Sequence, residues 1–188
     1  MKFRRYTLDD CHQATGIVLV IDVLRAFSTA AYAFSRNAKE IRLVSTVEEA
    51  LSLKAQISNS KAIGEVGGIP PEGFDFGNSP THILEHDLTG ITLIQRTGSG
   101  TQGAVRAVNA NVLLATSFVV SGATIEYVSK LQPHEVSFVI TGGMDNDEDV
   151  ACADYLEMKF TGQQANDEIF IRRVYDSRDA LQHRQEHP

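Results

Sequence analysis

The residues of this chain best suited to chemistry are oxygen ligands and cations rather than thiols or imidazoles. Asp22 and Arg25 stand three apart directly after the apolar run Ile17-Val18-Leu19-Val20-Ile21, with hydroxyls at Ser28 and Thr29. Further carboxylates fall at Glu65, Asp75, Glu148 and Asp149, and Arg96 precedes the turn Thr97-Gly98-Ser99-Gly100-Thr101. Carboxylate oxygens without His or Cys beside them favour a hard cation such as Mg²⁺. A cation of that kind, with arginines and backbone N–H groups, is the equipment for phosphoryl transfer, where the task is to position the group and neutralise its oxygens. The composition of the site therefore points to a phosphate ester.

Each of these groups also has a plainer reading. Asp22 is placed to cap the helix that follows, and Arg25 to pair with a surface carboxylate. The Gly-Ser-Gly turn lacks the lysine and spacing of a phosphate-binding P-loop and does not match the dinucleotide fingerprint, although Arg96 beside it favours an anion. Asp145 and Asp147 suit the start of a helix for dipole reasons alone, whereas Glu148 and Asp149 enter the helix itself. His82 and His86 lie four apart after Pro80, where a surface or core role is expected. Cys11 and Cys152 have no partner histidine in the motif segments, and no nucleophile elbow is present.

The elements that must position these groups follow from hydrophobic periodicity. Ile17–Ile21 reads as a strand buried on both faces, so Asp22 sits at the carboxyl edge of a sheet, where open α/β folds bind ligands. Phe27, Ala30, Ala31, Phe34 and Ala38 recur at helical spacing behind it. Further strands are expected at residues 41–45, 62–66, 91–96, 112–117 and 136–141, each followed by a helical pattern except the third, and a short edge strand is expected at 3–6. Thr46-Val47-Glu48-Glu49 is a capping box.

The third strand instead enters an irregular segment, residues 67–80, with Asp75 between Phe74 and Phe76. A loop of that length is usually functional, and the two aromatics argue against disorder. It ends with Asn78 or Ser79 as helix cap and Pro80 in the first turn. Four strand ends, at Asp22, Glu65, Thr97 and Ser117, point polar groups the same way. The alternation predicts one α/β domain over residues 1–188, a three-layer α/β/α with a largely parallel six-stranded sheet, and a frayed tail over 176–188.

At 188 residues and 43% apolar, the chain suits a single well-buried domain. Its 17 basic against 24 acidic residues, net −7, leave no basic footprint for nucleic acid or an anionic membrane. No apolar run suggests a signal peptide or a span, and two cysteines outside any finger spacing fit a reducing compartment, so a cytoplasmic location is expected.

Ile21-Asp22-Val23-Leu24-Arg25-Ala26, Gly64-Glu65-Val66-Gly67-Gly68, Glu72-Gly73-Phe74-Asp75-Phe76-Gly77-Asn78-Ser79-Pro80, the Thr97–Thr101 turn, Ser117-Phe118 and Glu148-Asp149 ahead of Cys152-Ala153 together resemble the 2-phosphosulfolactate phosphatase (ComB-like) family. The resemblance implies a Mg²⁺-dependent phosphatase that converts 2-phospho-3-sulfolactate to sulfolactate and phosphate, a step associated with coenzyme M biosynthesis, and a homo-oligomer such as a dimer. On it, Asp22 serves the metal or attacks as nucleophile, with Arg25 and Glu65 also catalytic. Asp75, Glu148 and Asp149 are further metal candidates, and Ser28, Asn78, Ser79, Arg96, Thr97, Ser99, Gly100, Thr101 and Ser117 are expected around the substrate. Val66 stands where family members usually carry Arg, and the chain stops short of their usual C-terminal segment. The rival reading is an inactive paralogue that binds a small phosphorylated anion.

Overall fold

The computed structural model describes residues 1–145 and 147–186; Asn146, within the acidic turn, and His187 and Pro188 lie outside them. In chain order the elements are β1 (Lys2–Tyr6), β2 (Gly16–Ile21), α1 (Ala26–Ser35), β3 (Glu40–Leu43), α2 (Val47–Gln56), β4 (Ser60–Gly64), α3 (Pro80–Leu84), β5 (Thr92–Arg96), α4 (Gly100–Arg106), β6 (Ala110–Thr116), α5 (Ser121–Leu131), β7 (Glu135–Ile140), α6 (Asp147–Phe160), α7 (Asp167–Asp176) and α8 (Arg178–Glu186). The α/β class and the parallel pairing hold. Every strand pair is parallel, as expected where helices cover both faces.

The expected single sheet of six strands is instead two sheets, ordered β1-β7-β2-β6 and β3-β5-β4. The seventh strand is the edge segment at Lys2–Tyr6, which pairs with β7. Strand and helix patterns alternate identically whether successive strands join one sheet or two, so periodicity could not reveal the division.

Alternation along β2 shows how the larger sheet is sandwiched. Ile17, Leu19 and Ile21 face α5 and α6 through Val128, Cys152 and Leu156, while Val18 and Val20 face α1 through Ala26 and Phe27. Burying such a side chain contributes about 1.5–3 kcal/mol, which makes β2 the anchor of the domain. In the smaller sheet Leu93 packs with Ala33 of α1 and Ile83 of α3, and its neighbour Ile94 packs with Ala50 of α2 on the other face. Helix α1 thus touches both sheets, and Asp22 lies just before it.

The N-cap half of the capping box forms, with the Thr46 side chain accepting from Glu49 N, while the Glu49 carboxylate accepts from Ser45 N at 3.1 Å. Within the tail expected to be frayed, residues 178–186 form a helix, which follows α7. Phe170 of α7 meets Tyr155 edge-on at 5.3 Å, and Arg173 donates to Asp147 at 2.6 Å and to Asp154 at 2.7 Å, which docks α7 on α6. Helix α8 follows over Arg178–Glu186.

Gly64 is fixed by close approach. Gly64 ends β4 at a φ of +138°, and a Cβ there would overlap the carbonyl oxygen of Arg96 on β5. Gly64→Ala is expected to destabilise the fold by about 3 kcal/mol or more, seen as a lowered denaturation midpoint.

Candidate active site

Strand β2 delivers Asp22 to a nearly closed position, 6% exposed. Its Oδ1 accepts from Ala26 N at 2.8 Å, fastening the first turn of α1. On the other side lies Gly100, the first residue of α4, where a Cβ would stand 2.6 Å from Asp22 Oδ2 and 2.8 Å from Ala26 Cβ. Only glycine lets α4 come this near. Burial pushes the Asp22 carboxyl up to about 6, against the hydrogen bonds from Ala26 and Gly100 and with the charges of Glu65 and Glu148 adding to the rise.

Asp149, in the first turn of α6 and 3% exposed, reaches the same place from the far side. Val23 N donates to its Oδ1 at 2.8 Å and Gly142 N to its Oδ2 at 3.0 Å. It therefore joins the loops after β2 and β7. Burial and then the nearby Asp22 charge hold its carboxyl well above the usual range. From the smaller sheet comes Glu65, whose Oε1 accepts from Gly98 N at 2.6 Å and whose Oε2 accepts from Gly68 N at 2.7 Å. One carboxylate orders both the β4 and the β5 loop.

These groups surround a cavity of about 200 Å³, with Arg25, Ser99 and Asn78 also on its wall. Asn78 is 8% exposed, and its Oδ1 has no hydrogen-bond partner among the described residues. A buried amide oxygen left so costs about 1–3 kcal/mol unless a ligand or cation meets it. The donor set, carboxylate and amide oxygens throughout, fits Mg²⁺. Among the described residues no group of three His, Cys, Asp or Glu is assembled to hold a metal alone. A cation here would complete its shell from substrate and water, the usual habit of Mg²⁺.

A sequence model of the 2-phosphosulpholactate phosphatase family matches residues 5–186. The chain belongs to this family. It is 39% identical over 142 residues to a probable 2-phosphosulfolactate phosphatase of Bacillus subtilis (strain 168), covering 75% of this chain and 62% of that protein. A Carboxydothermus hydrogenoformans protein of the same name is 41% identical over 143 residues, covering 74% and 58%. One from Thermosynechococcus vestitus is 35% identical over 150 residues, covering 78% and 62%. The chain thus spans less than two thirds of each of these relatives.

Of the residues expected at a family site, Asp22, Arg25, Glu65, Asn78, Ser99 and Asp149 line the cavity. Gly100 abuts Asp22 from behind. Glu148, 1% exposed, sits beside Asp149 under the site without lining it. Others have structural engagements. Asp75 is held on the flank of β4 by Lys54 at 2.8 Å and Ala62 N at 2.8 Å, away from the cavity, and the lysine bond keeps its carboxyl below the usual range despite partial burial. Arg96 donates through Nη1 to the Glu65 carbonyl at 2.8 Å and through Nε to that of Ser45, so it braces the Glu65 loop. Thr97 and Thr101 bond each other across the first turn of α4. Ser79 accepts from His82 N as the cap of α3. Ser28 donates to the Val23 carbonyl at 2.7 Å and faces a neighbouring apolar cleft with Phe118 and Phe170. Ser117 is buried outside the cavity, its Oγ without a hydrogen-bond partner among the described residues.

Sequence reasoning missed three contributors, Asp179, Gln182 and His183 of α8. Their i, i+3, i+4 spacing is the signal that one helical face meets the site, but the polar composition of the segment masked it.

Proposed function

We propose that the chain is a Mg²⁺-dependent phosphatase that hydrolyses 2-phospho-3-sulfolactate to sulfolactate and phosphate, the reaction named for its relatives. The reading is carried by one juxtaposition: Asp22, Glu65 and Asp149 share a small cavity with Arg25 and the unpartnered amide oxygen of Asn78. Asp22 and Asp149 would hold Mg²⁺, with Asn78 Oδ1 or substrate oxygens beside them. When bound, the ion supplies neutralisation of charge on the phosphoryl oxygens.

The remaining work falls to the chain. Arg25 pairs with the anionic oxygens of the substrate, and Ser99 donates from the opposite wall. Glu65, fixed by two backbone N–H donors, keeps lone pairs with which to orient the attacking water and accept its proton. Asp22 accepts from the backbone of Ala26 and Gly100, which fixes its carboxylate between two helix starts and suits it better to hold a cation than to move in attack on phosphorus. With this substrate, the reaction belongs to the route to coenzyme M.

The test is kcat/KM for phosphate release from 2-phosphosulfolactate and from 2-phospholactate in Mg²⁺. The sulfonated ester is expected to be preferred by about tenfold or more, the scale of one lost ion pair. Equal or better use of phospholactate removes the sulfonate assignment. Ligand-induced stabilisation without released phosphate favours the binding paralogue instead.

A further inference from the structure

His82 in α3 and His86, one turn on, bring their Nε2 atoms to 3.3 Å from each other, with ring centroids 4.9 Å apart and planes at 84°. The turn between them is closed by Glu85 N and His86 N donating to the carbonyls of His82 and Ile83. Both rings rest against the buried Phe76, with centroids at 6.1 Å for His82 and 4.8 Å for His86, which limits their rotation. His82 is exposed and His86 half-buried, so the paired nitrogens are within reach of solvent.

We propose that His82 and His86 form a surface site for a borderline divalent cation, with Zn²⁺ the best geometric match. Zinc binds imidazole nitrogen at about 2.0–2.1 Å, so two nitrogens on one tetrahedral shell stand about 3.3–3.4 Å apart. The same bond lengths at right angles, as in octahedral or square-planar shells, require only about 2.9 Å. The observed separation is the tetrahedral edge. His86 lies just past the Glu85 C-cap of α3, where the closing turn brings its ring beside His82, and imidazole discriminates against the hard Mg²⁺ expected in the cavity. No third His, Cys, Asp or Glu completes a group among the described residues, so water fills the other positions and binding is reversible.

The pair sits where a clamp would matter. Helix α3 spans only Pro80–Leu84, too short to be stable alone, and it follows Asn78 on the cavity wall. Phe76, under both rings, is tied to β4 by Gly64 N donating to its carbonyl at 3.1 Å. A cation bridging His82 and His86 would hold this turn closed against Phe76 and steady the segment that carries Asn78.

The experiment is calorimetric titration with ZnCl₂ in excess Mg²⁺, on wild type, His82→Ala, His86→Ala and Asp22→Asn, with circular dichroism to confirm folding. One Zn²⁺ per chain is expected in wild type and in Asp22→Asn, with affinity reduced about tenfold or more in each histidine variant. Co²⁺ in place of Zn²⁺ should give the intense visible bands of a tetrahedral site, lost in the same two variants. Undiminished Zn²⁺ binding in folded His82→Ala and His86→Ala, or none in wild type, overturns the proposal and leaves the pair as a hydrogen-bonded contact. Because Asp22→Asn keeps the histidines, failure here is distinct from failure of the phosphatase reading.

Discussion

Asp22→Asn is expected to cut turnover by about 10³-fold or more while making the metal-free protein more stable at neutral pH. The two effects have one cause. In the fold the Asp22 carboxyl titrates at about 6 because it is buried beside other carboxylates, whereas in the unfolded chain it titrates near about 3.9. A raised acid contributes stability that is fully present below the unfolded value and is lost as the pH rises through about 6. At neutral pH the folded protein therefore carries an anion it disfavours, by roughly 3 kcal/mol at most. Asn removes that charge, although its amide must face one of the two backbone donors, so a gain of roughly 1–2 kcal/mol remains. Melting curves of both proteins with chelator should coincide most nearly in acid and separate at neutral pH, the variant melting higher. Added Mg²⁺ should raise the wild type and leave the variant unmoved. A variant that melts lower than wild type at neutral pH would contradict the account of Asp22 as a strained site for a cation.

Asp149→Ala should act in the opposite direction on stability. Asp149 carries the same kind of raised carboxyl, but its two oxygens satisfy the N–H groups of Val23 and Gly142 on different loops. Removing it strands the buried Val23 N–H, frees the Gly142 N–H on the cavity wall and enlarges the cavity. The expected loss is about 2–4 kcal/mol, read from denaturant unfolding, with activity lost as the turn that carries Arg25 loosens. Stability unchanged in Asp149→Ala would show that these hydrogen bonds do not hold the two loops.

The contrast between these acids marks how far the sequence could be followed. Asp22 was legible because four β-branched residues in the five before it make a buried strand, and a strand end in an α/β fold has only one kind of place to go. Glu65 and Asn78 were legible for related reasons, as polar groups where a strand or an ordered loop stops. Asp75 lies in the same loop, yet its carboxylate is taken by Lys54 and Lys61, whose proximity depends on how α2 and β4 pack and not on any local pattern. Arg96 likewise turns to the Glu65 and Ser45 carbonyls. The division into two sheets was hidden because pairing partners are chosen by tertiary contacts, to which strand periodicity is blind. Helix α8 was hidden because its segment is almost entirely polar, and its placement depends on Arg173 drawing α7 onto Asp147 and Asp154.

The most direct test of the proposed phosphatase centre is steady-state phosphate release from 2-phosphosulfolactate, measured with Mg²⁺ and with chelator, for wild type and Asp22→Asn in parallel. Release that requires Mg²⁺ and falls about 10³-fold in the folded variant is the predicted result. Release that survives chelation, or that Asp22→Asn sustains at the wild-type rate, would contradict it and move the chemistry away from the end of β2.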